Sequence, residues 1–326
     1  MTSHSPLRLE SMHGPMRRRV IQSLGLLSAA PWLACAESSA AVSPLSLPLH
    51  VRELVNHIGT SVPDVTRSAT FYSHLFQSGT ILGQEKPALR YEINFHPGAL
   101  SIGPLRSAGA GAGPGASAAA GAAAGAASEQ MRPYIDHFAI LTQPFDATAW
   151  RARLVEEKVR NFAAGSFVVI GGLSVQLLGG RAPRPSGPSK TPPPAAAAGG
   201  FNPMPPLFNG QPLVNPHGFE HLTLQIADLD ASAALFRRLF GLTPHTPSTG
   251  RRLFQVADIR LELREAPSGE RPVIEAFAIR VAPFDAGQLR AALERLGATV
   301  EPVEKTAKRT ILRFADPDGI NCELWA

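Results

Sequence analysis

The sequence is poor in cysteine, in charge and in long apolar runs, and each shortage removes a class of protein. Only two of the 326 residues are cysteine, Cys35 and Cys322, so a disulfide-stapled scaffold is excluded. Charged residues make up 17% of the chain, and three of its five net positive charges come from Arg8, Glu10, Arg17, Arg18 and Arg19. The remainder is close to neutral and shows no Lys/Arg stripe interleaved with aromatics, which argues against a nucleic-acid partner. No apolar run reaches the roughly 20 residues needed to cross a ~30 Å hydrocarbon core, so no membrane span is expected. No glycine-rich phosphate loop is present, because neither Gly171-Gly172 nor the Gly/Ala tract follows a strand and opens a helix. A Gly-x-Ser-x-Gly elbow and a Cys/His nucleophile arrangement are also missing.

What is there begins with an address. Met16-Arg17-Arg18-Arg19-Val20-Ile21-Gln22 opens an apolar stretch to about Leu33, followed by Ala34-Cys35-Ala36, the small-x-small pattern of a cleavage site. Residues 1–36 are therefore expected to be a signal peptide, and the paired arginines resemble a bacterial twin-arginine signal. The expectation is export to the periplasm. Trp32-Leu33-Ala34 makes a poor lipoprotein box, so anchoring through Cys35 is the less favoured alternative. Cleavage after Ala36 leaves Cys322 as the single cysteine, expected to be a buried core thiol.

With 44% hydrophobic residues the rest can build about two domains, and two segments separate them. Residues 107–127 are almost wholly Gly and Ala and read as a flexible insertion; residues 181–214 are rich in Pro and Ala and read as a linker. The flanking halves, 50–180 and 215–326, repeat one another. A shift of 164 lays Asn56-His57-Ile58 on Glu220-His221-Leu222 and matches Asp64 to Asp228, Ala69 to Ala233, Leu75 to Leu239 and Phe76 to Phe240. A shift of 139 matches Phe138-Ala139-Ile140 to Phe277-Ala278-Ile279 and Pro144-Phe145-Asp146-Ala147 to Pro283-Phe284-Asp285-Ala286. Each half therefore holds two successive units of one grammar: an alternating strand such as Leu222–Ile226, an Asp-capped amphipathic helix, then short strands. Phe71, Phe76, Phe236 and Phe240 recur at helical spacing and are expected in the core.

This α+β architecture, with Glu220-His221-Leu222 and the ending Asp316-Pro317-Asp318-Gly319-Ile320-Asn321-Cys322-Glu323, resembles the vicinal oxygen chelate superfamily. That superfamily includes glyoxalase I, extradiol dioxygenases and the fosfomycin and bleomycin resistance proteins. The resemblance implies four βαβββ units forming two tandem glyoxalase-like domains, each curled into a cup whose first and fourth strands supply ligands to one divalent metal.

Carried over position by position, the ligand places of the second half are His221, Glu262, Ala276 and Glu323. Those of the first half are His57, Ser101, His137 and Gln176. The resemblance therefore implies a second-half metal on His221, Glu262 and Glu323, with Zn, Mn, Ni, Co or Fe all compatible with those donors. Glu262 or Glu323 would act as general base in lyase or isomerase chemistry on a small oxygenated substrate. His57, His137 and Gln176 form a possible second site. Arg260 and Arg264 flank Glu262 at strand period two and share its face, where they are candidates to bind a substrate carboxylate or phosphate. His217 and His245 read as loop residues. Two alternatives remain: a metal-free small-molecule-binding protein of the bleomycin-resistance kind, and an extradiol-type dioxygenase using His57 and His137. Two linked halves suit a monomer or a homodimer.

Overall fold

The computed structural model describes residues 49–76, 80–84, 89–95, 98–105, 132–143, 145–179, 202–203, 207–246 and 248–326. The expected signal peptide, the Gly/Ala insertion and most of the linker lie outside these residues.

The first half consists of β1 (Val51–Val62), α1 (Val65–Leu75), β2 (Thr80–Gln84), β3 (Arg90–Asn94) and β4 (Ala99–Pro104). It continues with β5 (Tyr134–Thr142), α2 (Ala147–Glu156), β6 (Asn161–Phe162), β7 (Phe167–Ile170) and β8 (Leu173–Gly179). The second half repeats this order. It has β10 (Asn215–Ile226), α3 (Leu229–Phe240), β11 (Arg251–Val256), β12 (Ile259–Glu265) and β13 (Val273–Ala282), then α4 (Ala286–Arg295), β14 (Thr299–Val300), β15 (Glu304–Lys305), β16 (Thr310–Ala315) and β17 (Asn321–Trp325). The expected strand–helix–strand units are present with local differences. The third unit reduces one strand to a single bridge between His245 and Leu253, and the fourth splits one into β14 and β15.

Among the described residues the four α-helices start for the same reason. Asp64, Asp146, Asp228 and Asp285 sit in extended backbone just before them, and each carboxylate accepts hydrogen bonds from first-turn amides, 2.8–3.0 Å long. These caps satisfy donors that have no partner inside the helix. α3 ends at Gly241, whose φ of +67° is the left-handed conformation that glycine adopts without strain. The apolar faces of the helices pack behind the sheets, where Phe71, Phe76, Phe236 and Phe240 are all buried as expected.

The strand pairing fixes how the units combine. In the first half β4 pairs parallel with β1, β1 antiparallel with β5, and β5 parallel with β8. In the second, β12, β10, β13 and β17 do the same in that order. Each half therefore closes its own four-strand cup floor from two units in one chain. The halves touch through one β5–β13 pair, Ile135 opposite Ile274. They also meet where Tyr72 of α1 donates to Asp316 at 2.8 Å and Arg67 and Ser68 bond Asp318.

Two expectations are corrected here. His217, read as a loop residue, lies inside β10, because that strand starts at Asn215 and not near Phe219. The span 181–214 is not linker throughout: Asn202–Pro203 form β9 against β2, and Val214, buried, bridges to Phe76.

Candidate functional site

The eight ligand places that the resemblance implies fall on β1, β4, β5 and β8 and on β10, β12, β13 and β17. Side chains alternate across each strand, so Leu261 and Leu263 are buried toward the helices while Arg260, Glu262 and Arg264 take the opposite face. Cys322 likewise turns into the core, where burial raises its thiol pKa, while Glu323 turns to the cup.

In the second cup the three expected metal ligands do not converge. His221 Nε2 lies 3.6 Å from a Glu323 oxygen, with the two side chains 11% and 13% exposed. Glu262 instead accepts from Arg251 Nε at 2.6 Å and Arg264 Nε at 2.8 Å. Burial alone would raise the Glu262 pKa, but bonds from Arg264 and Arg251 outweigh it and hold the carboxyl below its ordinary value. Glu323 is committed too, accepting from Arg313 Nε at 3.0 Å and from the indole of Trp325 at 2.7 Å. Two carboxylates in one cup need compensating positive charge, and here guanidinium groups supply it. Ala276 offers no donor. His221 Nδ1 is buried and has no hydrogen-bond partner among the described residues. Burial, the largest influence, holds the pKa of that imidazole down. Among the described residues no group of three His, Cys, Asp or Glu side chains is placed to hold a metal ion. As arranged, this cup does not fit a three-ligand divalent ion.

The first cup is built differently. His57 and His137 bring their Nε2 atoms within 3.1 Å, and the Nδ1 of His137 bonds Asp136. Gln176 hydrogen-bonds the His57 ring, while burial, seconded by the neighbouring His137, lowers the His57 pKa to about 3. His57 is thus a neutral imidazole throughout the physiological range. With a proton on the Nδ1 of His137 facing the carboxylate, its Nε2 accepts and the Nε2 of His57 donates. Phe167 packs edge-on to His137 at 5.4 Å. Two nitrogens bound to one ion at ~2.1 Å stand ~3.0–3.4 Å apart, and a carboxylate behind a histidine is the usual support for a metal-bound imidazole. The His57, His137 and Gln176 set therefore fits a divalent cation better than the second cup does.

Of the two arginines expected to bind substrate, Arg264 is held by Glu262 and, at 3.4 Å, by Glu275. Arg260 bonds Glu220 at 2.6 Å and lines an open cleft. Sequence reasoning did not single out Asp136, Glu275, Arg251, Arg313 or Trp325. Asp136 and Glu275 occupy equivalent places at a shift of 139, each the extra residue of a bulge. Gly59 pairs with His137 and Thr60 with Ile135, skipping Asp136; Thr223 pairs with Ala276 and Leu224 with Ile274, skipping Glu275. The bulge brings a side chain to the cup that strict alternation would send away. The signal for Arg313 lay in hairpin counting, since the turn at Pro317-Asp318-Gly319 sets Arg313 opposite Glu323; the turn at Ala257-Asp258 sets Leu253 opposite Glu262 and Arg251 opposite Arg264, so Arg251 reaches Glu262 diagonally and had no such signal.

Residues 218–324, nearly all of the second half, match the family model of the Glyoxalase/Bleomycin resistance protein/Dioxygenase superfamily. No curated protein matches the sequence. Among solved structures, the Mn(II)-bound glyoxalase from Novosphingobium aromaticivorans is 13% identical, with 85% of this chain and 82% of that one covered at a TM-score of 0.50. The 2,3-dioxygenase LapB from Pseudomonas sp. KL28 is 13% identical, covers 85% and 92%, and scores 0.54. A catechol 2,3-dioxygenase is 12% identical, covers 85% and 88%, and scores 0.53. These similarities span both halves and agree with the tandem two-cup fold. Among the described residues no helix is long and apolar enough to cross a membrane.

Proposed function

We propose that this chain is a small-molecule-binding protein of the glyoxalase fold whose second cup takes its ligand without a metal. The observation that carries this reading is the commitment of both cup carboxylates: Glu262 to Arg251 and Arg264, and Glu323 to Arg313 and Trp325. A divalent ion would have to displace three guanidinium groups that already neutralise its ligands. Glu262 is not a ready general base, since a carboxylate stabilised in its ionised form by arginine has lost basicity.

A second reading has its own support. The first cup, with His57 and His137 converging and Asp136 behind them, would hold a divalent cation together with Gln176. Such an ion supplies Lewis-acid polarisation of a substrate oxygen. Lyase, isomerase or dioxygenase chemistry would then belong to the first half.

Metal content per chain, measured by elemental mass spectrometry after reconstitution with Zn, Mn, Ni, Co or Fe, separates the two. The metal-free second cup predicts the same content in the wild type and in His221→Ala. One ion per chain that disappears in His221→Ala refutes it. One ion lost in His57→Ala but kept in His221→Ala supports the first-cup centre, and oxygen uptake with catechols on that iron-loaded protein then decides for or against dioxygenation.

A further inference from the structure

At the open end of the second cup, β10, β12, β13 and β17 and the residues before β16 leave a cleft of about 670 Å³. Four cationic side chains line it, Arg260, Arg280, Lys308 and Arg309, against two carboxylate side chains, Glu220 and Asp258. We propose that this cleft binds a small organic dianion, a dicarboxylate or a phosphorylated acid, between the Arg260/Arg280 pair on one side and Lys308 and Arg309 on the other. The proposal rests on the reading of the second cup as a binding module and names the class of its ligand.

The charges divide unevenly. Glu220 is shared, accepting from Arg260 at 2.6 Å and from Arg280 at 3.2 Å, and exposed Asp258 pairs with Arg280 at 2.6 Å. Among the described residues no carboxylate partners Lys308 or Arg309. Lys308 and Arg309 are therefore left without a counter-ion, both on the turn between β15 and β16 and facing a pair of arginines that share one glutamate. A dianion supplies the missing charge, and forked guanidinium groups match carboxylate and phosphoryl oxygens in geometry.

Arg309 is also held in place without using its hydrogen-bond donors. Its guanidinium lies over the Trp325 ring at 4.5 Å from the centroid, and that of Arg260 lies over the same ring at 5.0 Å. A cation above a ring is oriented by the π face, so its N–H groups stay free for an anion. The indole N–H is fixed on Glu323 at 2.7 Å, and His221 packs edge-on at 4.9 Å. Gln255 and His217 add polar side chains to the lining, and Val281 and the Trp325 ring give it apolar surface against which the carbon skeleton of an organic acid can lie.

Calorimetric titration of the full chain with malonate and with inorganic pyrophosphate, at low and at high ionic strength, tests this. At least one should bind one-to-one, with affinity falling as salt rises. The tighter of the two identifies carboxylate or phosphoryl oxygens as the recognised chemistry. Lys308→Ala with Arg309→Ala should raise Kd about tenfold or more, the loss expected for charged hydrogen bonds. Asp258→Asn, which removes a competing anion at the exposed rim, should tighten binding. No binding of either probe, or unchanged binding in the Lys308/Arg309 variant, overturns the proposal. The two readings fail separately. A His221-dependent metal with intact dianion binding removes the metal-free cup but leaves the anion cleft standing; metal-free protein that ignores both probes does the reverse.

Discussion

His57 ties stability to pH at a single side chain. Its pKa in the folded protein is about 3 against 6.5 for the free residue, lowered first by burial and then by His137. Between those values the unfolded chain binds more protons than the native one, so stability falls as pH drops below about 6.5 and is fully present above it. The slope is at most ~1.4 kcal/mol per pH unit for one such group, a few kcal/mol over the whole window. Urea denaturation midpoints measured from pH 7 to pH 4 should therefore flatten in His57→Gln relative to the wild type. An unchanged slope would mean that His57 is not held neutral by its surroundings. Glu262 shows the opposite balance, with arginine bonds overcoming burial, which is how one fold keeps a buried imidazole uncharged and a neighbouring cup's carboxylate charged.

At the scale of elements, the bulge in β5 depends on Gly59 of β1. A Cβ at position 59 would overlap the His137 ring and the Asp136 carboxylate, so a residue with no side chain is required where β1 passes beneath them. Gly59→Ala should destabilise the protein by about 1–3 kcal/mol through overpacking and displace the His137 ring, readable as a lower Tm together with altered histidine shifts in NMR spectra. Helices and strands were legible because their signals are local. The four capping aspartates and the alternation of Leu261, Glu262 and Leu263 needed no tertiary context. Bulges were not legible, since they depend on pairing with another strand, and alternation alone would send Asp136 and Glu275 away from the cup. The ion pairs were half legible: hairpin register sets Arg313 opposite Glu323, but nothing local shows that Arg251 and Arg264 close on one glutamate.

For the whole molecule, the Asp-Pro-Asp-Gly segment serves both halves at once. Asp316 accepts from the amides of Asp318 at 2.9 Å and Ile320 at 2.8 Å, which shapes the turn into β17, while its other oxygen takes the Tyr72 hydroxyl of the first half. Burial raises the Asp316 pKa even though the Ile320 amide and Tyr72 favour its charged form. Tyr72→Phe leaves that carboxylate short of a donor and should cost about 1–3 kcal/mol. A single coincident unfolding transition, shifted as a whole, is the outcome expected if the halves unfold together; a shift confined to one of two separate transitions would show that they do not. The motif itself was readable in the sequence, but its partner was not, because Tyr72 and Asp316 stand 244 residues apart.

The paired bulges make donor identity partly independent of sequence position. Where two consecutive residues both reach a cup, a carboxylate or an imidazole can stand at either one while the strand keeps its register. The second half has Glu275 beside an inert Ala276, and the first has Asp136 beside His137. Such a strand can exchange one polar group for another by single substitutions that leave every backbone hydrogen bond in place. This is a gradual route by which cups with different donors can arise on the same fold.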